Sequence, residues 1–274
     1  MKTQAQKAEA FRALHARKGA FIIPNPWDVG TARILERLGF EALATTSAGY
    51  AFSSGVPDNH VGRESMIAHI ATISVETDLP VIANLENGFG DDPNTVAETI
   101  RRAAAAGVVG GSIEDSINRP GENLYELAKA VDRVRAAVEA ARSLPFPFTL
   151  TARCESFLLG IADLKDTIKR LQAYQEAGAD VLYAPCITSR DEIKAIVGAV
   201  DRPVNFLMGT QPHRYSLAEL TELGVKRVSV GSALSTVALG AFLRGAREMK
   251  DHGTFNYTKD SAGFGEITNL LKEP

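Results

Sequence analysis

Residues 80–90 read PVIANLENGFG. Val81, Ile82 and Ala83 run directly into Asn84 and Glu86, and then into Gly88 and Gly90. An apolar run of this length, closed by polar residues and glycine, is the pattern of a strand buried on both faces that ends in a loop. Residues 108–113 repeat the form and finish on Glu114 and Asp115; residues 148–152 repeat it again and finish on Arg153 and Glu155. Doubly buried strands belong to parallel sheets, whose C-terminal strand ends all lie on one side, so these charges converge at one mouth.

The flanking chain keeps the same period. A charged amphipathic helix is expected over the first residues, MKTQAQKAEAFRALHARKG, and a short apolar strand at 20–24. Helical spacing over 28–38 is stopped by Gly39, and the next strand spans 41–45. A long polar loop, TSAGYAFSSGVPDN, leads to a helix at 63–77, and loops of that length are usually functional. Asp92, Pro93 and Asn94 start a helix at 94–106 that Gly107 stops, and the loop 116–123 precedes a long helix to Arg142. Strands near Thr149 and at 181–184, 204–207 and 227–230 then alternate with helices at 164–177, 190–200, 217–223 and 234–250. About eight strands alternating with helices make a (β/α)8 TIM barrel, drawn as one domain over 1–274 with an N-terminal helix and a C-terminal helical extension. The amphipathic segment 267–271 and the long final helix exceed what one barrel needs to cover itself, which predicts a homo-oligomer.

Composition narrows the function classes. The chain has 274 residues, 45% hydrophobic and 23% charged, with a formal net charge of -3 and dispersed basic residues; neither nucleic acid nor a membrane is expected as a partner. Two cysteines, Cys154 and Cys186, are too few for a disulfide framework. With neither a secretion-type apolar segment at the start nor a membrane-length run, the expected location is the cytoplasm.

Asp58, Asn84, Glu86, Glu114 and Asp115 offer oxygen donors from successive strand ends and loops. Such donors suit Mg2+, or Mn2+, better than zinc. The alternative is that Glu86 and Glu114 only balance Arg153. That guanidinium could clamp a substrate carboxylate through two parallel hydrogen bonds. Successive amides at Ser47, Ala48 and Gly49 could form an anion nest. His15, His60, His69, His213 and His252 show no metal-ligand spacing, and the two cysteines read as packing residues.

IPNPWDVGTARILERLGFEAL, TSAGYAFSSGVPD, PVIANLENGFG, GGSIED and LTARCESF together resemble the isocitrate lyase and phosphoenolpyruvate mutase superfamily, in the same order and over nearly the whole barrel. The resemblance implies a (β/α)8 barrel, usually tetrameric with the last helix exchanged between neighbours, acting on small 2-oxo or enolic carboxylates with Mg2+. It assigns Thr46, Ser47 and Ala48 to the loop that binds a substrate carboxylate, Asp58 and Glu114 to outer-shell metal groups, and Arg153 and Asn205 to substrate contact. Three departures stand out. The usual pair of aspartates separated by one residue is here Asn84 and Glu86, so Glu86 is the candidate to reach the ion. The loop SINRPGENLYEL lacks the cysteine and lysine of the lyases that split isocitrate or methylisocitrate. Pro185 stands where many lyases place a glutamate.

These features imply a Mg2+-dependent lyase cleaving a C–C bond in a small 2-oxo or 2-hydroxy carboxylate such as an oxaloacetate-like compound, with Arg153, Glu114 and Glu86 as its catalytic groups. Two alternatives stand beside it: P–C bond chemistry of the phosphonopyruvate type, as mutase or hydrolase, and a catalytically impaired barrel that binds a 2-oxo acid.

Overall fold

The computed structural model describes residues 2–119, 121, 123–209 and 214–272. Among these, His213 is not included. The strands are β1 (Phe21–Ile23), β2 (Leu43–Ala44), β3 (Val81–Asn84), β4 (Gly110–Glu114), β5 (Thr149–Arg153), β6 (Val181–Tyr183), β7 (Val204–Leu207) and β8 (Arg227–Ser229). The helices are α1 (Gln4–Ala16), α2 (Val29–Arg37), α3 (Ser47–Ser53), α4 (Arg63–Val75), α5 (Pro93–Ala105), α6 (Leu127–Arg142), α7 (Leu164–Glu176), α8 (Arg190–Ala199), α9 (Leu217–Glu222), α10 (Ala233–His252) and α11 (Phe264–Leu271).

All eight strands form one parallel sheet in the order β1-β8-β7-β6-β5-β4-β3-β2. Its two edge strands face each other across a seam. There the Ala44 amide donates to the Pro24 carbonyl at 3.1 Å, and Asn25 Nδ2 donates to the Thr45 carbonyl at 3.2 Å. The sheet is thereby a nearly closed TIM-type barrel, with helices outside and strand ends gathered at one mouth.

Local chemistry sets the element boundaries. Asp28, Asp92, Asp163, Ser189 and Ser216 each accept an amide hydrogen bond at a helix start, satisfying donors that the helix itself leaves unpaired. Two glycines open β4 because the neighbouring strands leave no room: a Cβ at Gly110 would lie 2.7 Å from the Thr149 carbonyl oxygen, and one at Gly111 2.8 Å from Leu85 Cδ1. The TSAGYAFSSGVPDN stretch, read as loop, contains α3, started by the Thr46 side chain accepting from the Gly49 amide at 3.2 Å.

The apolar core lies mainly between strands and helices, and α1 closes the end opposite the mouth. Ala8, Phe11 and Leu14 of α1 pack on Phe21, Ile23, Ile82 and Val109. Lys7, nearly buried there, donates to the carbonyls of Ser74 and Thr77 at 3.1 and 2.5 Å. After α10 the chain returns so that α11 lies on α2, where the Arg37 guanidinium donates to the Lys272 carbonyl at 2.5 Å. Much of α10 and the segment after it faces outward, with Val237, Phe242, Phe255 and Phe264 all more than half exposed. Among the described residues, no helix is long and apolar enough to cross a membrane.

Candidate active site at the barrel mouth

A cavity of about 430 Å3 occupies the mouth. Of the residues singled out from sequence, Thr46, Ser47, Ala48, Asp58, Asn84, Glu114, Arg153 and Asn205 line it; Glu86 does not. Strand alternation explains the convergence. Asn84, Glu114 and Arg153 are the last residues of β3, β4 and β5, Ser112 pairs in register with Asn84, and Glu114 with Arg153. Their side chains therefore point into one interior.

Arg153 organises this interior. Its Nη1 lies 2.8 Å from Glu114 Oε1, its Nε donates to Glu155 Oε1 at 2.8 Å, and Nη1 also donates to Asn84 Oδ1 at 3.3 Å. The guanidinium carbon is 4.9 Å from the Tyr183 ring centre, a cation–π distance. Burial alone would lower this group, but Glu114 and Glu155 outweigh it and hold the guanidinium firmly charged. Asn84 extends the network by donating from Nδ2 to Ser47 Oγ at 3.0 Å, while its own amide donates to Thr45 Oγ1 at 3.0 Å. The expected anion nest is thus the first turn of α3, and one of its amides, that of Gly49, is already taken by Thr46.

Glu155 sits 1% exposed, with Oε1 on Arg153 and Oε2 lacking a partner. Burial pushes its carboxyl up to about 8 against the pull of Arg153, with Glu114 adding repulsion. Glu86 behaves similarly. The chain turns at this residue with φ 48, in the left-handed region, so the strand alternation that would place Glu86 beside Asn84 is broken. It is buried, its Oε1 has no partner, and burial followed by repulsion from Glu114 and Asp58 pushes it up to about 8.

A divalent cation fits this chemistry. An orphaned buried carboxylate oxygen that two further carboxylates repel is the local condition that positive charge relieves, and the donors available are hard oxygens. They do not form a preformed cage: among the described residues, no three histidine, cysteine or acidic side chains converge closely enough to enclose a metal. Mg2+ usually keeps several waters and takes only one or two protein carboxylates, so it does not require such a cage.

Asp115 departs from its expected place. It points away from the cavity, accepting from Tyr174 Oη at 2.6 Å, from the Glu155 amide at 2.8 Å and from Arg170 Nη1 at 3.3 Å. Alternation decides this, because Glu114 and Asp115 are neighbours and must face opposite sides of the strand. Asp115 braces the backbone that carries Glu155. His15 is packed between Phe11 and Phe21, at 4.7 and 5.1 Å between ring centres, and burial lowers it to about 3. His69 stacks on Tyr50 at 3.7 Å, and burial lowers it to about 4. Burial and Asp115 push the Cys154 thiol up, which keeps it un-ionised, whereas Cys186 reaches the cavity wall. Sequence reading gave no role to Tyr183, Arg227, Leu158 or Leu159, all of which line the cavity. Glu155, expected among the charges at the mouth though without a role, lies two positions beyond Arg153 and so shares its face.

Comparison with known proteins agrees with this fold. The family model for phosphoenolpyruvate phosphomutase matches residues 11–250. The chain belongs to that family. The 2-methylisocitrate lyase of Escherichia coli (strain K12) is 30% identical over 224 residues, covering 79% of this chain and 70% of the relative. The crystal structure of a Burkholderia cenocepacia J2315 protein described as a lyase/mutase shares 62% identity, with a TM-score of 0.96 over 99% of this chain and 97% of that one. Oxaloacetate acetylhydrolase, solved with its product oxalate, shares 25% identity, with a TM-score of 0.87 over 98% of this chain and 95% of its own. As a member of the phosphoenolpyruvate mutase and isocitrate lyase superfamily, the protein is an enzyme of the lyase and mutase type.

Proposed function

We propose that this enzyme is a Mg2+-dependent lyase that breaks a C–C bond in a small 2-oxo carboxylate of the oxaloacetate type. The observation that carries the reading is Arg153: a guanidinium at the cavity wall, locked by Glu114 and Glu155 at 2.8 Å each before any substrate arrives. A planar, pre-oriented guanidinium is the group that recognises a carboxylate by two parallel hydrogen bonds. The relatives support the substrate class, since one is a 2-methylisocitrate lyase and another an oxaloacetate acetylhydrolase bound to oxalate.

Arg153 would fix the 2-oxo carboxylate end, and the Ser47 hydroxyl, oriented by Asn84 at 3.0 Å, would offer a hydrogen bond on the opposite wall. The carboxylates of Glu86, Asp58 and Glu114 would hold a divalent cation, which would supply Lewis acidity toward the 2-oxo oxygen. On cleavage of the bond between C3 and C4, the bonding pair stays on the oxo-acid fragment as an enolate, C4 leaves as CO2 and C3 requires a proton. The loop 116–126 contains no cysteine or lysine to give that proton. Glu155 holds one near neutrality, with an unpartnered Oε2 and a face on the cavity, and is the donor this arrangement favours.

The P–C alternative is favoured by one finding, the match to the phosphoenolpyruvate phosphomutase model. One panel separates the readings: oxaloacetate, 2-methylisocitrate, isocitrate and phosphonopyruvate, each with Mg2+ and with chelator, products followed by NMR. Mg2+-dependent loss of oxaloacetate supports the lyase reading. Turnover of phosphonopyruvate alone replaces it with P–C chemistry, and binding without turnover of any of the four reduces the protein to an oxo-acid binder.

A further inference from the structure

We infer that Arg227 forms an anion subsite on the cavity wall below Arg153, taking a second carboxylate of the substrate and making a dicarboxylate the preferred ligand. The inference rests on the oxo-acid reading above and deepens it.

Arg227 opens β8, pairs in register with Asn205 of β7, and lines the same cavity as Arg153. It is 2% exposed. Its Nε donates to Asn205 Oδ1 at 2.8 Å and its Nη2 to Thr151 Oγ1 at 2.9 Å, while Nη1 is buried with no partner among the described residues. A guanidinium carries only donors, and here both partners are neutral oxygens. Of the other buried or nearly buried arginines, Arg153 faces Glu114 and Glu155 and Arg170 faces Asp115 and Asp166; Arg133, like Arg227, meets only neutral oxygens, the Asn87 and Gly90 carbonyls, but it does not line the cavity. Among the described residues, Arg227 has no carboxylate within ion-pair distance. Burial draws it down to about 9, so it is still charged at pH 7. A buried charge without a counter-charge costs several kcal/mol, and an anionic ligand removes that cost.

Position connects this cation to the substrate. Thr151, which Arg227 touches, lies two residues before Arg153 on β5 and on the same face, about 7 Å lower along the strand. That step is within reach of one small molecule bound at Arg153. Asn205 has its Oδ1 on Arg227 and its Nδ2 donating to Ser229 Oγ at 3.0 Å. With both of its side-chain polar atoms engaged by the protein, Asn205 departs from the substrate contact that the resemblance implied and is a positioning residue that orients the guanidinium.

The test measures Mg2+-supported binding of malate, a dicarboxylate, and pyruvate, a monocarboxylate, by calorimetry on the full-length protein. Two variants are compared with wild type. Arg227→Met removes the cation; Asn205→Asp keeps the side-chain volume and sets a carboxylate against Nε, neutralising the cation within the fold. Each should weaken malate about 10- to 150-fold, the range of one lost charged hydrogen bond, and leave pyruvate within about threefold. If Arg227→Met fails to fold, Asn205→Asp decides alone. Equal weakening of both ligands, or of neither, overturns the subsite. Wild type that binds pyruvate but not malate also overturns it while sparing the oxo-acid reading; wild type that binds neither overturns that reading itself. Chloride should compete with malate and not with pyruvate. Full thermal protection by chloride, with malate adding nothing, would make Arg227 a site for inorganic anions and refute its substrate role.

Discussion

Arg153→Lys tests the organisation of the site most directly. Arg153 contacts Glu114, Glu155 and Asn84 at once, at 2.8, 2.8 and 3.3 Å, because its nitrogens fan out in a plane. Lysine places one ammonium on a flexible stem and can hold only one of the two carboxylates well. Glu155, at 1% exposure, cannot turn to water for a replacement, so its carboxyl should be driven further toward the neutral form. One lost charged hydrogen bond costs about 1.5–3 kcal/mol, which for a chain of this size lowers Tm by roughly 3–6 °C. Substrate binding loses its two-pronged geometry, and a similar energy gives a Kd about 10- to 150-fold higher for pyruvate. Scanning calorimetry reads the first effect and titration calorimetry the second. A lowered Tm with unchanged pyruvate affinity would refute substrate binding by Arg153 and leave it only the balancing of barrel-mouth charge.

Three further outcomes are expected. Glu86 is pushed up from 4.5 to about 8, so between these values the unfolded chain sheds a proton that the fold retains, and metal-free stability falls as pH rises through that window; Glu86→Gln should flatten the fall, by at most about 5 kcal/mol at pH 8. Urea denaturation at pH 5 and pH 8 checks this, and parallel curves for the two proteins would contradict it; Mg2+ should raise the pH 8 Tm of wild type but not of Glu86→Gln. Asn84→Asp adds a charged oxygen beside Arg153 Nη1, and the Mg2+ concentration giving half of the Tm rise should fall; an unchanged or higher value would place the ion elsewhere. The outward apolar residues of α10 and its extension, Val237, Phe242, Phe255 and Phe264, are expected to be covered in a homo-oligomer, so light scattering should give a dimer or tetramer and Phe242→Glu a smaller species. A strict monomer at micromolar wild-type concentration would refute this.

The barrel was legible because its signals are local. Doubly buried parallel strands write continuous apolar runs such as VIA and VLYA, and helix starts write themselves as Asp28 and Asp92. The convergence of Asn84, Glu114 and Arg153 followed from two general facts, that parallel strands end on one side and that alternate residues share a face. Other features depended on contacts between residues far apart in the chain. The same alternation turns Asp115 outward, yet only the packing of Tyr174 and Arg170 shows what receives it. The left-handed turn at Glu86 breaks the alternation on which a sequence argument relies, and nothing in the string LEN announces it. Arg227 begins an ordinary-looking strand. Its isolation as a buried cation exists only because β7 brings Asn205 beside it and the barrel brings Thr151 from 76 positions away, with no carboxylate among its described neighbours. Periodicity and capping are properties of neighbouring residues and survive in the sequence, whereas burial and charge compensation belong to the closed barrel.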